Sequence, residues 1–372
     1  MDDVLVIGGG AIGCACALAL AKRGARVRLV ERAHPGAEAS SAAAGILGAY
    51  VEAHDTGPLT QLCFRSLAMY AAWTRALADA TGIDVGHRPS GSMRVYADPE
   101  AFERESRAMH GALGDDAQPL DAAGARALEG ALTPRMAGAL RFRKDCRIDP
   151  PALMRAVEAS ARAAGVAITE DDGVTRILVE RGRASGVALA SGDIARAGTV
   201  VLTAGAWSLL EGRGLAAGSI EPIRGQMVEL RLPSRPLDHV VFGPGAYLSP
   251  RDDGRVIVGS TQERAGFHKA VTVRGLRGLL DGAAALVPAV EDAEIARVWS
   301  GLRPATPDGA PLLGHGAFPG LVVATGHFRN GILLAPITGE IVAQLVAGAP
   351  PEVDLAPFAV DRFARPAGAT RA

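Results

Sequence analysis

Lysine is nearly absent: of 39 basic residues only Lys22, Lys144 and Lys269 are lysines, and the other 36 are arginines. With alanine so abundant, this imbalance reads as coding bias first and function second. The basic residues are balanced by 40 acidic ones, for a formal net charge of −1. The basic excess or stripe of a nucleic-acid binder is therefore missing. Cysteine is scarce too, at Cys14, Cys16, Cys63 and Cys146, with no C-x-x-C or Cys/His cluster. Neither a metal site nor a disulfide framework is expected, and reduced thiols suit a cytoplasmic enzyme. No uncharged apolar run reaches the ~18 residues that a membrane span requires. The acidic start, Met1-Asp2-Asp3, and the break at Gly8-Gly9-Gly10 do not suit a secretory signal. The expectation is a protein with no membrane span.

What is present suits a large globular enzyme. A chain of 372 residues has room for two to three domains. Its 48% apolar and 21% charged residues exclude wholesale disorder, and Gly 46 with Pro 23 predicts many tight turns. Val4–Ile7 is a short apolar run of the kind buried on both faces of a sheet. A glycine turn follows, then a helix from Ala11 to Arg23, then a strand over Arg26–Glu31. This is a βαβ unit with a parallel pair. Further helices are predicted over 58–82 and Pro151–Ala164, and from Asn330 to Val346 with Pro336 tolerated. From 221 to 264 three strands follow one another without helices, around the hairpin signal Asp252-Asp253-Gly254. The tail after Pro350 is proline-rich and expected to fray. The reading is an α/β protein in which a largely antiparallel α+β domain is inserted into a discontinuous nucleotide-binding domain. The first would comprise 85–141 and 221–299, the second 1–84, 142–220 and 300–372.

Three motifs carry chemistry. In Gly8-x-Gly10-x-x-Gly13, Gly8 allows the tight turn, Gly10 admits a pyrophosphate to the backbone, and Gly13 lets the helix pack on the strand. The N-terminus of that helix, at Ala11 and Ile12, offers free N–H groups and a positive dipole end. Glu31, closing the next strand, can take ribose hydroxyls and would repel a 2′-phosphate, which disfavours NADP. The motif does not choose between NAD and FAD. Arg32 and the small-residue run from Ala39 through Ser40, Ser41 and Ala44 to Gly45 tilt towards FAD, because a long flavin nucleotide could lie flat on such backbone. In the second motif, Gly301-Leu302-Arg303-Pro304-x-Thr306-Pro307, two prolines would fix the direction of Arg303 for a bidentate grip on a carboxylate. The third, Thr325-Gly326-His327-Phe328-Arg329-Asn330-Gly331-Ile332, ends a buried strand and opens a helix near Asn330. Its N-terminus could face a ring with developing negative charge. His327 is read as a hydrogen-bonded structural histidine rather than a base. Tyr247 stands in the antiparallel block, where its hydroxyl could join Arg303 on a carboxylate.

Together these residues resemble the glycine oxidase group of the D-amino acid oxidase family, most specifically the enzymes of thiamine biosynthesis. The likeness spans nearly the whole chain. It rests on Val6–Gly13, Glu31-Arg32, Ser40-Ser41-x-x-x-Gly45, Gly301–Pro304, and above all Gly326–Pro336. It implies a Rossmann-like domain holding FAD non-covalently. It also implies oxidation of glycine, sarcosine and small D-amino acids by dioxygen to a keto acid, ammonia and hydrogen peroxide. A functional link to thiazole synthase and a homo-oligomer follow from the same resemblance. By resemblance Arg303 binds the substrate carboxylate, Tyr247 assists and Arg329 borders the pocket. Val174 holds the adenine through its backbone, Ala204-Gly205-Ala206-Trp207 forms a turn near the cofactor, and Leu333 belongs to the cofactor-binding run. Gln262 stands where related enzymes place a Met. The expected chemistry needs no strong base: the carboxylate is clamped, the neutral amine assists and hydride leaves the α-carbon. The competing readings are a dehydrogenase with another electron acceptor, an NAD-dependent dehydrogenase, and a non-catalytic nucleotide-binding module.

Overall fold

A computed structural model describes residues 2–53, 55–209, 214–232 and 237–364. β1 (Asp2–Ile7), α1 (Ala11–Lys22) and β2 (Val27–Val30) form the βαβ unit that local sequence predicts. β1 is central in the first sheet. It pairs in parallel with β2 on one side and with strand Ile194–Leu202 on the other. Strand Leu321–Thr325 adds in parallel beyond that, and Ala167–Thr169 lies in parallel outside β2. Parallel strands must be covered on both faces, and they are. One face packs against α1 and helices Pro58–Thr81, Pro150–Ala163 and Ala335–Val346. The other is covered by the antiparallel strands Val174–Glu180 and Arg183–Leu189 with their apolar neighbours.

The second sheet has eight strands in the order Glu294–Ala305, Glu221–Arg231, Arg255–Gly259, Ala246–Pro250, Val240–Gly243, Ser92–Tyr96, Gly138–Phe142, Gln118–Asp121. Every pairing is antiparallel except that of Val240–Gly243 with Ser92–Tyr96. Those two strands are where the separate chain segments meet. Helix Val273–Leu286 closes one face over Leu248, Val258 and Val228. The other face looks towards the first sheet. The fold is thus an α/β architecture with a second sheet domain.

Three expectations are corrected. The flanking prolines are not what fixes Arg303: strand Glu294–Ala305 runs through it, with Pro304 directly opposite Pro222 of the neighbouring strand. Strand alternation, not proline, aims the side chain. The C-terminal helix begins at Ala335, not Asn330, which instead closes a 3₁₀ turn over Phe328–Asn330. Pro336 falls in the helix's first turn, where its missing N–H is tolerated. It still removes the donor that would reach Ile332 O, and the Tyr70 hydroxyl donates there instead, while Ser66 Oγ donates to Leu333 O at 2.6 Å. The tail after Pro350 docks as far as residue 364: Phe358 is buried and Arg362 pairs with Asp308 at 2.8 Å. The rest of the expected frayed tail lies outside the described residues.

Candidate active site

A cleft of about 960 Å³ runs between the two sheets. Gly8, Gly10, Ala11 and Ile12 line one end, with Glu31 and Arg32 beside them. Helices Pro99–Leu113, Pro150–Ala163 and Val273–Leu286 each begin with a side-chain cap, from Asp98, Asp149 and Thr272. α1 has none from its N-cap Gly10, and its first turn opens into the cleft. The Ala11 N–H meets Ser40 Oγ at 2.9 Å, and a Cβ at Gly10 would find only that hydroxyl within contact, at 3.1 Å. Such an end suits a pyrophosphate. Glu31 is held in place by the Gly9 N–H at 2.7 Å and the Ala33 N–H at 3.1 Å. Arg32 pairs with Glu38 and lies over the Trp207 ring at 3.6 Å. Ala44, Gly45, Val174, Ala204 and Gly205 complete this end. Gly13, Ser41 and Leu333 do not line the cleft. Gly13 acts beneath it, since a Cβ there would lie 1.8 Å from Gly8 O.

The other end is bounded by Tyr247, Arg303 and the turn holding His327, Arg329, Asn330, Gly331 and Ile332. Gln262 sits at the rim, exposed. The Arg303 guanidinium donates to Thr261 O at 3.1 Å and to the Ser260 hydroxyl at 2.5 Å. Among the described residues no carboxylate forms an ion pair with it. Burial pulls its pKa down from the ordinary arginine value, yet a guanidinium stays charged. A half-buried cation with no carboxylate partner among the described residues, facing a cleft, suits an anionic ligand. Arg329 differs: Glu52 pairs with it at 2.6 Å, and that charge raises the Arg329 pKa. Burial raises the Tyr247 phenol, whose hydroxyl reaches Met227 Sδ at 3.5 Å. Phe328, in the same turn, has φ +47°, a left-handed conformation costly for an aromatic residue.

Sequence reasoning missed Glu52, Met227 and Ser260. Glu52 carries no motif. Met227 belongs to a strand read only as a strand, and Ser260 to the stretch Gly259-Ser260-Thr261-Gln262, in which the sequence singles out only Gln262; a thioether does line the cleft, at Met227. His327 is 2% exposed, with Nε2 3.2 Å from Thr338 Oγ1, and burial lowers its pKa to about 3. It is neutral at working pH and no base. The unfolded chain takes up this proton below about 6.5 and the folded one only near 3. Stability is therefore lost as pH falls through that window, by up to about 5 kcal/mol. Denaturant titrations from pH 7 to 4 should show a shallower decline in His327→Gln than in the parent; equal slopes would refute it.

The glycine cradle with its open helix start at one end, and a guanidinium without a carboxylate partner among the described residues at the other, suit a nucleotide and a small anion in one cleft. The family model described as FAD dependent oxidoreductase matches residues 3–345, and the chain belongs to this family. The cofactor is FAD. The glycine oxidase of Geobacillus kaustophilus is 37% identical over 367 residues, covering 97% of both chains. Its crystal structure superposes with a TM-score of 0.92, covering 97% of this chain and 98% of that one. A bifunctional ThiO/ThiG protein of Nostoc sp. is 38% identical over 349 residues, covering 92% of this chain. The chain spans about half the length of that relative, 52%. The iminodiacetate oxidase of Chelativorans sp. superposes at a TM-score of 0.88 with 27% identity, covering 96% of this chain and 98% of that one. No helix among the described residues is long and apolar enough to cross a membrane, and no cluster of metal-ligating side chains occurs among them.

Proposed function

We propose that this chain oxidises glycine, and with it sarcosine and small D-amino acids, to the imine, which hydrolyses to the keto acid and the free amine: ammonia from glycine, methylamine from sarcosine. The observation that carries the reading is the Arg303 guanidinium, half-buried, facing the cleft and without a carboxylate partner among the described residues. It binds the substrate carboxylate as a fork. Tyr247 supplies a neutral hydroxyl beside it, and the ion-paired Arg329 and Glu52 form a charge-balanced wall. When bound, FAD would supply the two-electron acceptor and pass the electrons to dioxygen as hydrogen peroxide. The chain contributes orientation: it fixes the carboxylate, and with it the α-carbon, and offers no imidazole base because His327 is buried and neutral. The fused Nostoc relative supports a supply of glycine imine to thiazole synthase in thiamine synthesis. The cytoplasmic placement and the homo-oligomer rest on the thiol chemistry and the family resemblance.

The test is peroxide release by the purified flavoprotein with glycine, sarcosine, D-alanine and D-proline. Glycine-dependent peroxide at one equivalent per glyoxylate is the expected result. Flavin bleached by glycine without peroxide would identify a dehydrogenase using another acceptor. Failure of every amine to bleach it would remove the activity.

A further inference from the structure

We propose that Gly225 is a positioning residue whose missing side chain forms the seat of the Arg303 guanidinium; the proposal rests on the reading of Arg303 as carboxylate anchor. Gly225 lies inside strand Glu221–Arg231, directly opposite Gly301. Glycine weakens a strand interior unless something approaches closely, and its backbone here needs no left-handed conformation. The reason for it is steric. A Cβ at 225 would fall 2.2 Å from Arg303 Nη1, 2.3 Å from Nη2 and 2.4 Å from Cζ. The guanidinium therefore rests on bare backbone, with Thr261 O and the Ser260 hydroxyl fixing its edge.

The strand cannot yield to make room. Its flanking residues Arg224 and Gln226 are both bonded to Glu263, and Gln226 also to Thr272. The guanidinium can yield, because it ends a flexible side chain. A methyl group at 225 thus leaves the sheet intact and lifts the cation towards the substrate. A displacement of ~1 Å in a positioning group costs on the order of 100-fold.

The experiment uses the FAD-loaded enzyme with glycine as substrate and acetate as carboxylate probe, read by perturbation of the flavin spectrum. Gly225→Ala should raise KM for glycine about 100-fold and weaken acetate by the same factor, with flavin content and Tm as in the parent. In an Arg303→Ala background the same change should add nothing. An equal penalty in both backgrounds, or loss of flavin from Gly225→Ala, overturns the proposal by showing a general structural role. A normal KM in Gly225→Ala beside a crippled Arg303→Ala overturns the role of Gly225 alone. Normal KM in both overturns the carboxylate anchor as well.

Discussion

Arg303→Ala is expected to purify as a yellow, FAD-loaded protein that glycine no longer saturates. Removing one partner of a buried, hydrogen-bonded charge pair costs about 2–5 kcal/mol, so kcat/KM should fall by roughly 30- to 4,000-fold at 1.4 kcal/mol per tenfold. The loss should appear mainly in KM, because the guanidinium holds a carboxylate that does not react. Flavin content should be unchanged, since Arg303 lies at the far end of the cleft from the glycine turn. Arg303→Lys should recover only part of the loss: a point charge cannot form the fork, and its ammonium would have to find Thr261 O and Ser260 by itself. Steady-state kinetics beside the flavin absorbance ratio decide the matter. Glycine kinetics like the parent's in Arg303→Ala would remove this side chain from the site.

Gly13→Ala should empty the other end of the cleft. A Cβ there would sit 1.8 Å from Gly8 O and 2.7 Å from Thr203 Oγ1. Neither obstacle is free to move. Gly8 turns at φ +98°, and the Thr203 hydroxyl donates to Ile7 O at 2.7 Å and to Gly8 O at 3.0 Å. α1 must therefore rise off β1, carrying its uncapped N-terminus away from the phosphates. Overpacking of this kind typically costs about 1–3 kcal/mol, and backbone against backbone belongs at the top of that range. The expected product binds FAD at background level and melts several degrees lower. Gly10→Ala is the control, because its Cβ would touch only Ser40 Oγ; it should keep its melting temperature. Stoichiometric flavin in Gly13→Ala would refute the argument.

The nucleotide end was legible because its information is local. Strand, turn, helix and acidic strand end occupy the first 31 residues, and each is specified by its neighbours. Arg303 was legible for a reason the structure replaces: prolines drew attention to it, but the alternation of a long strand aims it. The start of the last helix was misplaced because an isolated sequence does not reveal that Tyr70 and Ser66 satisfy carbonyls near Pro336. Glu52 and Gly225 were illegible altogether. Glu52 has a function only because folding brings it to Arg329, and Gly225 is one of 46 glycines until a guanidinium is found where its side chain would be.

The bonds from Tyr70 and Ser66 have a consequence of their own. The turn after Gly326 is bent and carries a left-handed Phe328. Helix Pro58–Thr81 braces it from outside, like a prop against a bowed wall. Damage to that distant helix would slacken the wall at the cofactor while the guanidinium, seated on the opposite sheet, kept its grip. Lesions there should therefore surface as leaking flavin with unaltered recognition of acids.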